Sequence, residues 1–390
     1  MKKIVYFLVV LLLSQCKTNT SNNTGEFVEI DVSQKYPLKE IYLQDIAKVE
    51  YIPLETNDNT LMKSWAQIAY VSDDYIIATN TNDGDVFVFD GKGKSKFSFN
   101  RKGQGGMDYN NIYSIAFDEK AKEIFIFDRF STNPKLLVYA EDGVYRRTLA
   151  CPSDFQARNM FVFDDESLLV FNDFGLTQDK YSNKPYLFIS KKDGSIVDTL
   201  DIHLSVRISD RVRYRIDVEG GTALATLTIG TTNNRSYGKN FLIADWSSDT
   251  IYRLTPLKEL QPVIVRIPLV HNSDPKIVIS NNLVTSKFIF LSKIVLDIEM
   301  AKKGNRLPSM DLLYDFETRQ INEYKLINKD IETVKVGIYE SVTPVNTGVY
   351  LFDVVQLIEA DEAGKLKGDL KELLKKLDAE DNPVLVKIKF

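Results

Sequence analysis

Residues Val86–Phe99 read VFVFDGKGKSKFSF, and the fold follows from how that stretch is parsed. A short apolar run enters Asp-Gly-Lys-Gly, and apolar and polar residues then alternate as far as Phe99. Alternation with period two buries one face of a sheet, and a fully apolar run bounded by turn residues fits a strand covered on both faces. Glycine belongs in the turn because tight hairpins need positive φ there. The same pattern returns as LLVYAEDGVYRRTL (Leu136–Leu149) and YLFISKKDGSIVDTL (Tyr186–Leu200), with turns centred on Gly91, Gly143 and Gly194. Weaker versions follow around Leu257 and Thr318. A period of roughly 50–60 residues carrying four strands predicts propeller blades. About 330 mature residues at that period give six blades; a β-sandwich or irregular meander is the other arrangement such hairpins form.

A propeller must close its ring or leave raw sheet edges. Two isolated strands offer the means: EFVEIDV (Glu26–Val32) and NPVLVKIKF (Asn382–Phe390). Both are expected in one blade, with the runs around Ser341–Val345 and Gly348–Ile358. Before the last strand, about Asp361–Asp378, lies a single helix whose Leu366, Leu370, Leu373, Leu374 and Leu377 form one apolar stripe. That stripe is expected to pack on the closing blade. The fold class is therefore an all-β, six-bladed propeller spanning residues 26–390, closed by its terminal strands, with one C-terminal helix.

Ahead of it, Lys2 and Lys3 precede an apolar run from Ile4 to Leu13. A membrane span needs roughly 20 such residues, so residues 1–15 read as a signal peptide. The run stops at Leu13-Ser14-Gln15-Cys16, which resembles the bacterial lipoprotein box, with Gln15 standing where Gly or Ala is usual. Sulfur is the nucleophile that takes the lipid, so Cys16 is the expected lipidation site and mature N-terminus. Acyl chains contribute about 0.8 kcal/mol per buried CH₂. Residues 16–25 then form a polar tether. The expected address is the outer membrane, facing either the periplasm or the cell surface.

The net charge of −5 speaks against nucleic acid as a partner. Cys151 is the only other cysteine, so no disulfide framework supports the fold. At 44% hydrophobic residues, a buried core carries the stability.

Several stretches together resemble a known family: VEYIPLET (Val49–Thr56), DVFVFDGKGK, RKGQGGMDY (Arg101–Tyr109) and the ending KLDAEDNPVLVKIKF. The combination is similar to six-bladed β-propeller lipoproteins of Gram-negative gut bacteria, relatives of the NHL and TolB-like propellers. Gly106, Met107 and Asp108 stand where that family commonly has Pro, Gly and Glu. The resemblance implies outer-membrane attachment and a role near glycan or peptide handling or envelope assembly. Fold alone does not give function.

Candidate sites are few. RKGQGGMDY lacks the spacing and the helix of a phosphate loop and reads as a blade-to-blade connection whose glycines permit positive φ. His203 and His271 sit in no metal-ligand or triad spacing, and no GxSxG elbow occurs. Arg207–Arg215 concentrates arginines suited to carboxylate or phosphate, or to a solvated strand face. Polar residues end several strand runs: Asn80, Asp128 followed by Arg129, Asn172 and Asp173, and Asp353. Converging, they would line a channel mouth; equally, Asp and Asn at strand ends satisfy turn backbone. Asn80, Asp128, Arg129, Asp173 and Asp353 are the candidate ligand-binding set, with no catalytic or metal residue assigned and no cofactor. The expected function is non-catalytic binding of a glycan, peptide or envelope protein. The alternative is a lactonase-like hydrolase holding Ca²⁺ in the channel, since hard oxygen ligands suit that ion and the metal polarises an ester carbonyl.

Overall fold

The computed structural model describes residues 27–390, apart from 132–133, 153–154, 173–183, 203, 205–207, 209–210, 229–234, 304–305 and 332–341. Six sheets form the blades of a β-propeller. Blade 1 is Gln67–Val71, Tyr75–Asn80, Asp85–Asp90 and Ser95–Asn100, paired in sequence order. Blade 2 (Ser114–Leu149) and blade 3 (Ala157–Thr199) repeat that order. Blade 4 runs from Arg235 to Ile267 and blade 5 from Ile277 to Ile327. Blade 6 is Thr347–Phe352, Val384–Lys389 and Lys48–Pro53.

Innermost strands of neighbouring blades meet around the ring axis. Ser114 Oγ donates to the Ala157 carbonyl (2.6 Å), and Val71 N donates to the Val342 carbonyl (2.8 Å). The second strands are the most apolar because both faces are covered: Tyr75–Asn80 and Ser167–Asn172 are buried at every position.

The outer hairpins keep one geometry. Gly93, Gly143 and Gly194 have φ near +80°, and each precedes a bulge in the outer strand that follows, at Lys96, Arg146 and Val197. Every one docks on the outer strand of the blade before it, where an added Cβ would collide with Pro53, Phe99 or Ala150. In blade 1 the turn glycine is thus Gly93 rather than Gly91. Gly91 is required for a different reason, since a side chain there would strike the Asp73 carbonyl. Blades 4 and 5 place Lys258 (φ 63°) and Arg319 (φ 56°) at the same point. Lys258 keeps the docking by other means, pairing with Asp198 of blade 3 at 2.8 Å and lying over the Phe188 ring.

The ring closes with the two ends of the chain in one sheet, but with a different N-terminal strand from the one expected. The C-terminal strand Val384–Lys389 pairs on one side with Thr347–Phe352 and on the other with Lys48–Pro53. Val28–Asp31 instead adds a parallel fifth strand to blade 4, and Leu38–Tyr42 does the same for blade 5. Alternating patterns do not name their partner, so EFVEIDV and KVEYIP were equally eligible on pattern alone.

The single C-terminal helix is in fact two, Val354–Glu362 and Gly368–Leu374. They break at Gly364 and Gly368, both at positive φ. The leucine stripe does pack inward: Leu366, Leu370 and Leu374 are buried with Leu357, Ile331 and Tyr350, and Leu373 and Leu377 lie against them. Between blades 3 and 4 an inserted ribbon, Arg211–Val218 paired with Gly221–Thr228, carries Arg211, Arg213 and Arg215 of the arginine-rich stretch, whose Arg207 lies outside the described residues.

Candidate functional site

Asn80, Asp128, Asn172 and Asp353 occupy the end of the blades that holds the blade-to-blade connections. Asn80 and Asp128 are wholly buried and close the second strands of blades 1 and 2. Asn80 Oδ1 accepts from Lys63 N at 3.0 Å, and its amide donates to Asp85 (2.9 Å). Asp128 accepts from Asn110 N (2.7 Å), Phe130 N (3.0 Å) and Ser131 Oγ (2.6 Å). Asn172 accepts likewise from Gln156 N at 2.8 Å. Each therefore ties the incoming connection to its blade, the use that buried carboxylates and amides find when backbone donors face them. Asp353 caps the first C-terminal helix through Val355 N (2.9 Å). Arg129 is half-buried, 5.2 Å from the Tyr113 ring centroid, beside an exposed Phe130. Asp173, His203 and Cys16 lie outside the described residues.

RKGQGGMDY is the connection between blades 1 and 2. Its glycines are not at positive φ. Gly103 and Gly105 are needed because a Cβ on either would lie 2.6 Å from the Asp108 carboxylate. That carboxylate accepts from Gly105 N (3.0 Å), and Tyr109, fully buried, donates to the Gly84 carbonyl (2.6 Å).

The cavity lies at the other end. It encloses about 320 Å³, near the lower bound of small-ligand pockets. The C-terminal ends of the innermost strands of blades 1 to 4 form its wall, with Val342–Val345 of blade 6 completing it. Blade 3 contributes Phe161 and Phe163, which meet Phe241 of blade 4 with centroids 5.9 and 5.4 Å apart. Blade 1 contributes Tyr70, edge-on to Phe117 of blade 2 at 5.3 Å.

Polar groups are set into this aromatic wall. The Tyr70 hydroxyl donates to Glu119 at 2.6 Å, and burial first, then that carboxylate, pushes its phenol pKa upward. Asp118 is neutralised by Lys191 of blade 3 at 2.6 Å, both side chains nearly fully buried. Glu119 makes no ion pair among the described residues. Neither does Lys239, exposed on the blade 4 side. Ser236 Oγ is sealed from solvent without a hydrogen-bond partner. Among the described residues, no group of three or more His, Cys, Asp or Glu is arranged to hold a metal ion. Innermost strands read weakly in sequence (QIAYV, SIAFD), so only their aromatic endings could have flagged this wall.

The family described as "Domain of unknown function (DUF4934)" matches residues 27–389. The chain belongs to that family. The DUF4934 chain is also similar to the "Putative exported protein" of Bacteroides fragilis, whose crystal structure superposes with a TM-score of 0.64 at 17% identity, covering 94% of this chain and 99% of that one. A member of the DUF4221 family from Bacteroides vulgatus gives a TM-score of 0.45 at 10% identity, covering 88% and 96%. The first likeness shows the propeller fold. No curated protein sequence matches the chain.

Proposed function

We propose that this DUF4934 protein is an extracytoplasmic, lipid-anchored binding propeller, NHL- or TolB-like in kind. It takes a small ligand, or the end of a glycan, peptide or envelope protein, into the channel-mouth cavity without transforming it. The aromatic-walled cavity carries this reading, because five blades converge on a recess whose polar groups include a carboxylate and an ammonium that make no ion pair among the described residues. Rings mounted on rigid inner strands present a pre-formed surface at low entropic cost. The apolar leader ending at Cys16 and the likeness to a Bacteroides protein named as exported support the address.

Val345 is exposed and borders the cavity, so V345W would fill the mouth without disturbing the core. A calorimetric screen of glycans and peptides should find a ligand whose binding V345W abolishes. Binding indifferent to V345W would remove the cavity from the reading, and turnover of a lactone ester stimulated by calcium would favour the hydrolase. For the anchor, Cys16→Ser should move the protein from the membrane to the soluble fraction.

A further inference from the structure

The geometry points to a short apolar peptide with free termini as the ligand of the cavity; this rests on the binding reading above. Blade 3 lies between blades 2 and 4, and its Phe161 and Phe163 form the aromatic wall. Glu119 stands on the blade 2 side of that wall and Lys239 on the blade 4 side. Neither makes an ion pair among the described residues, and Glu119 is held in place by the Tyr70 hydroxyl at 2.6 Å. A carboxylate kept half-buried beside phenyl rings is poorly solvated and gains from an incoming ammonium. The ligand that completes the arrangement carries a positive end, an apolar body and a negative end, in that order.

Size follows from the cavity, whose volume of about 320 Å³ limits the apolar body to a short peptide. A neutral saccharide would stack on the phenyl rings but leave both charges unanswered.

The test is calorimetry of the purified protein with Leu-Phe and Leu-Phe-Leu, their N-acetyl and C-amide forms, and maltotriose. Unblocked peptides should bind, and blocking either terminus should weaken binding about tenfold or more, the scale of one charge-assisted hydrogen bond. E119Q should erase the penalty for acetylation but retain that for amidation, and Lys239→Met should do the reverse. Equal affinity for blocked and unblocked peptides, or no peptide binding, overturns the proposal. Maltotriose binding lost in V345W would overturn the peptide while leaving the cavity as the site. Peptide binding unaffected by V345W would overturn both.

Discussion

Lys191→Met probes the bond that ties blade 3 to the cavity wall of blade 2. The Lys191 ammonium lies 2.6 Å from Asp118, with side chains only 8% and 7% exposed. Removing one partner of a buried pair leaves an uncompensated charge and costs about 3–5 kcal/mol. Unfolding entropy of about 2.1 cal/mol/K per residue, over a domain of roughly 360 residues, amounts to about 0.75 kcal/mol/K. The expected fall in melting temperature is therefore about 4–7 °C by calorimetry. Asp118 also accepts from Ala121 N at 3.0 Å, a bond that asparagine preserves. Adding D118N to Lys191→Met removes the stranded charge without opening that turn, so the double variant should return to within about 1 kcal/mol of the wild type. A single variant costing under about 1 kcal/mol, or a double variant no better than the single, would refute the claim that the stranded carboxylate sets the cost.

Other outcomes follow from the same packing. Gly143→Ala forces an L-residue to φ +81° and drives a methyl into Phe99; the backbone alone costs about 1–2 kcal/mol, and denaturant titration should show at least that loss. Burial pushes Tyr51, Tyr70, Tyr109, Tyr139, Tyr324 and Tyr350 to higher pKa. The unfolded chain therefore releases these protons first, and stability that is complete below about pH 10 should fall as pH rises beyond it; a melting temperature flat from pH 9 to 11 would contradict this. Burial also raises the Cys151 thiol to about 11, so at pH 8 it should react with a disulfide reagent about 10²-fold more slowly than in the unfolded chain, speeding up only as pH approaches that value.

The blade count and the outer hairpins were legible because a sheet covered on both faces must write apolar runs, and its outer turn must write glycine where φ is positive. Lys258 and Arg319 mark the limit: positive φ without glycine is invisible to that signal, so blades 4 and 5 read weakly. The candidate site was legible only as to strand-end residues, of which Asn80, Asp128 and Asn172 tie the blade connections. Asn80 and Asp128 end conspicuous second strands, whereas Glu119 and Lys239 follow short innermost strands with little pattern of their own. A strand's rank within its blade is fixed by long-range pairing, which no local pattern records. The N-terminal strands were misassigned for the same reason, since Val28–Asp31 and Lys48–Pro53 differ only in which edge is vacant when they arrive.

Residues 28–53 thread successively along the rims of blades 4, 5 and 6, like a drawstring sewn through half the ring. They are made early, yet their partner strands come far later in the chain, at 264–267, 323–327 and 384–389. Pairings so distant in sequence make for slow folding, so during synthesis this segment waits unpaired until those strands arrive. Any factor that escorts the nascent protein would find its most persistent handle there, and would be displaced only when the C-terminal strand arrives.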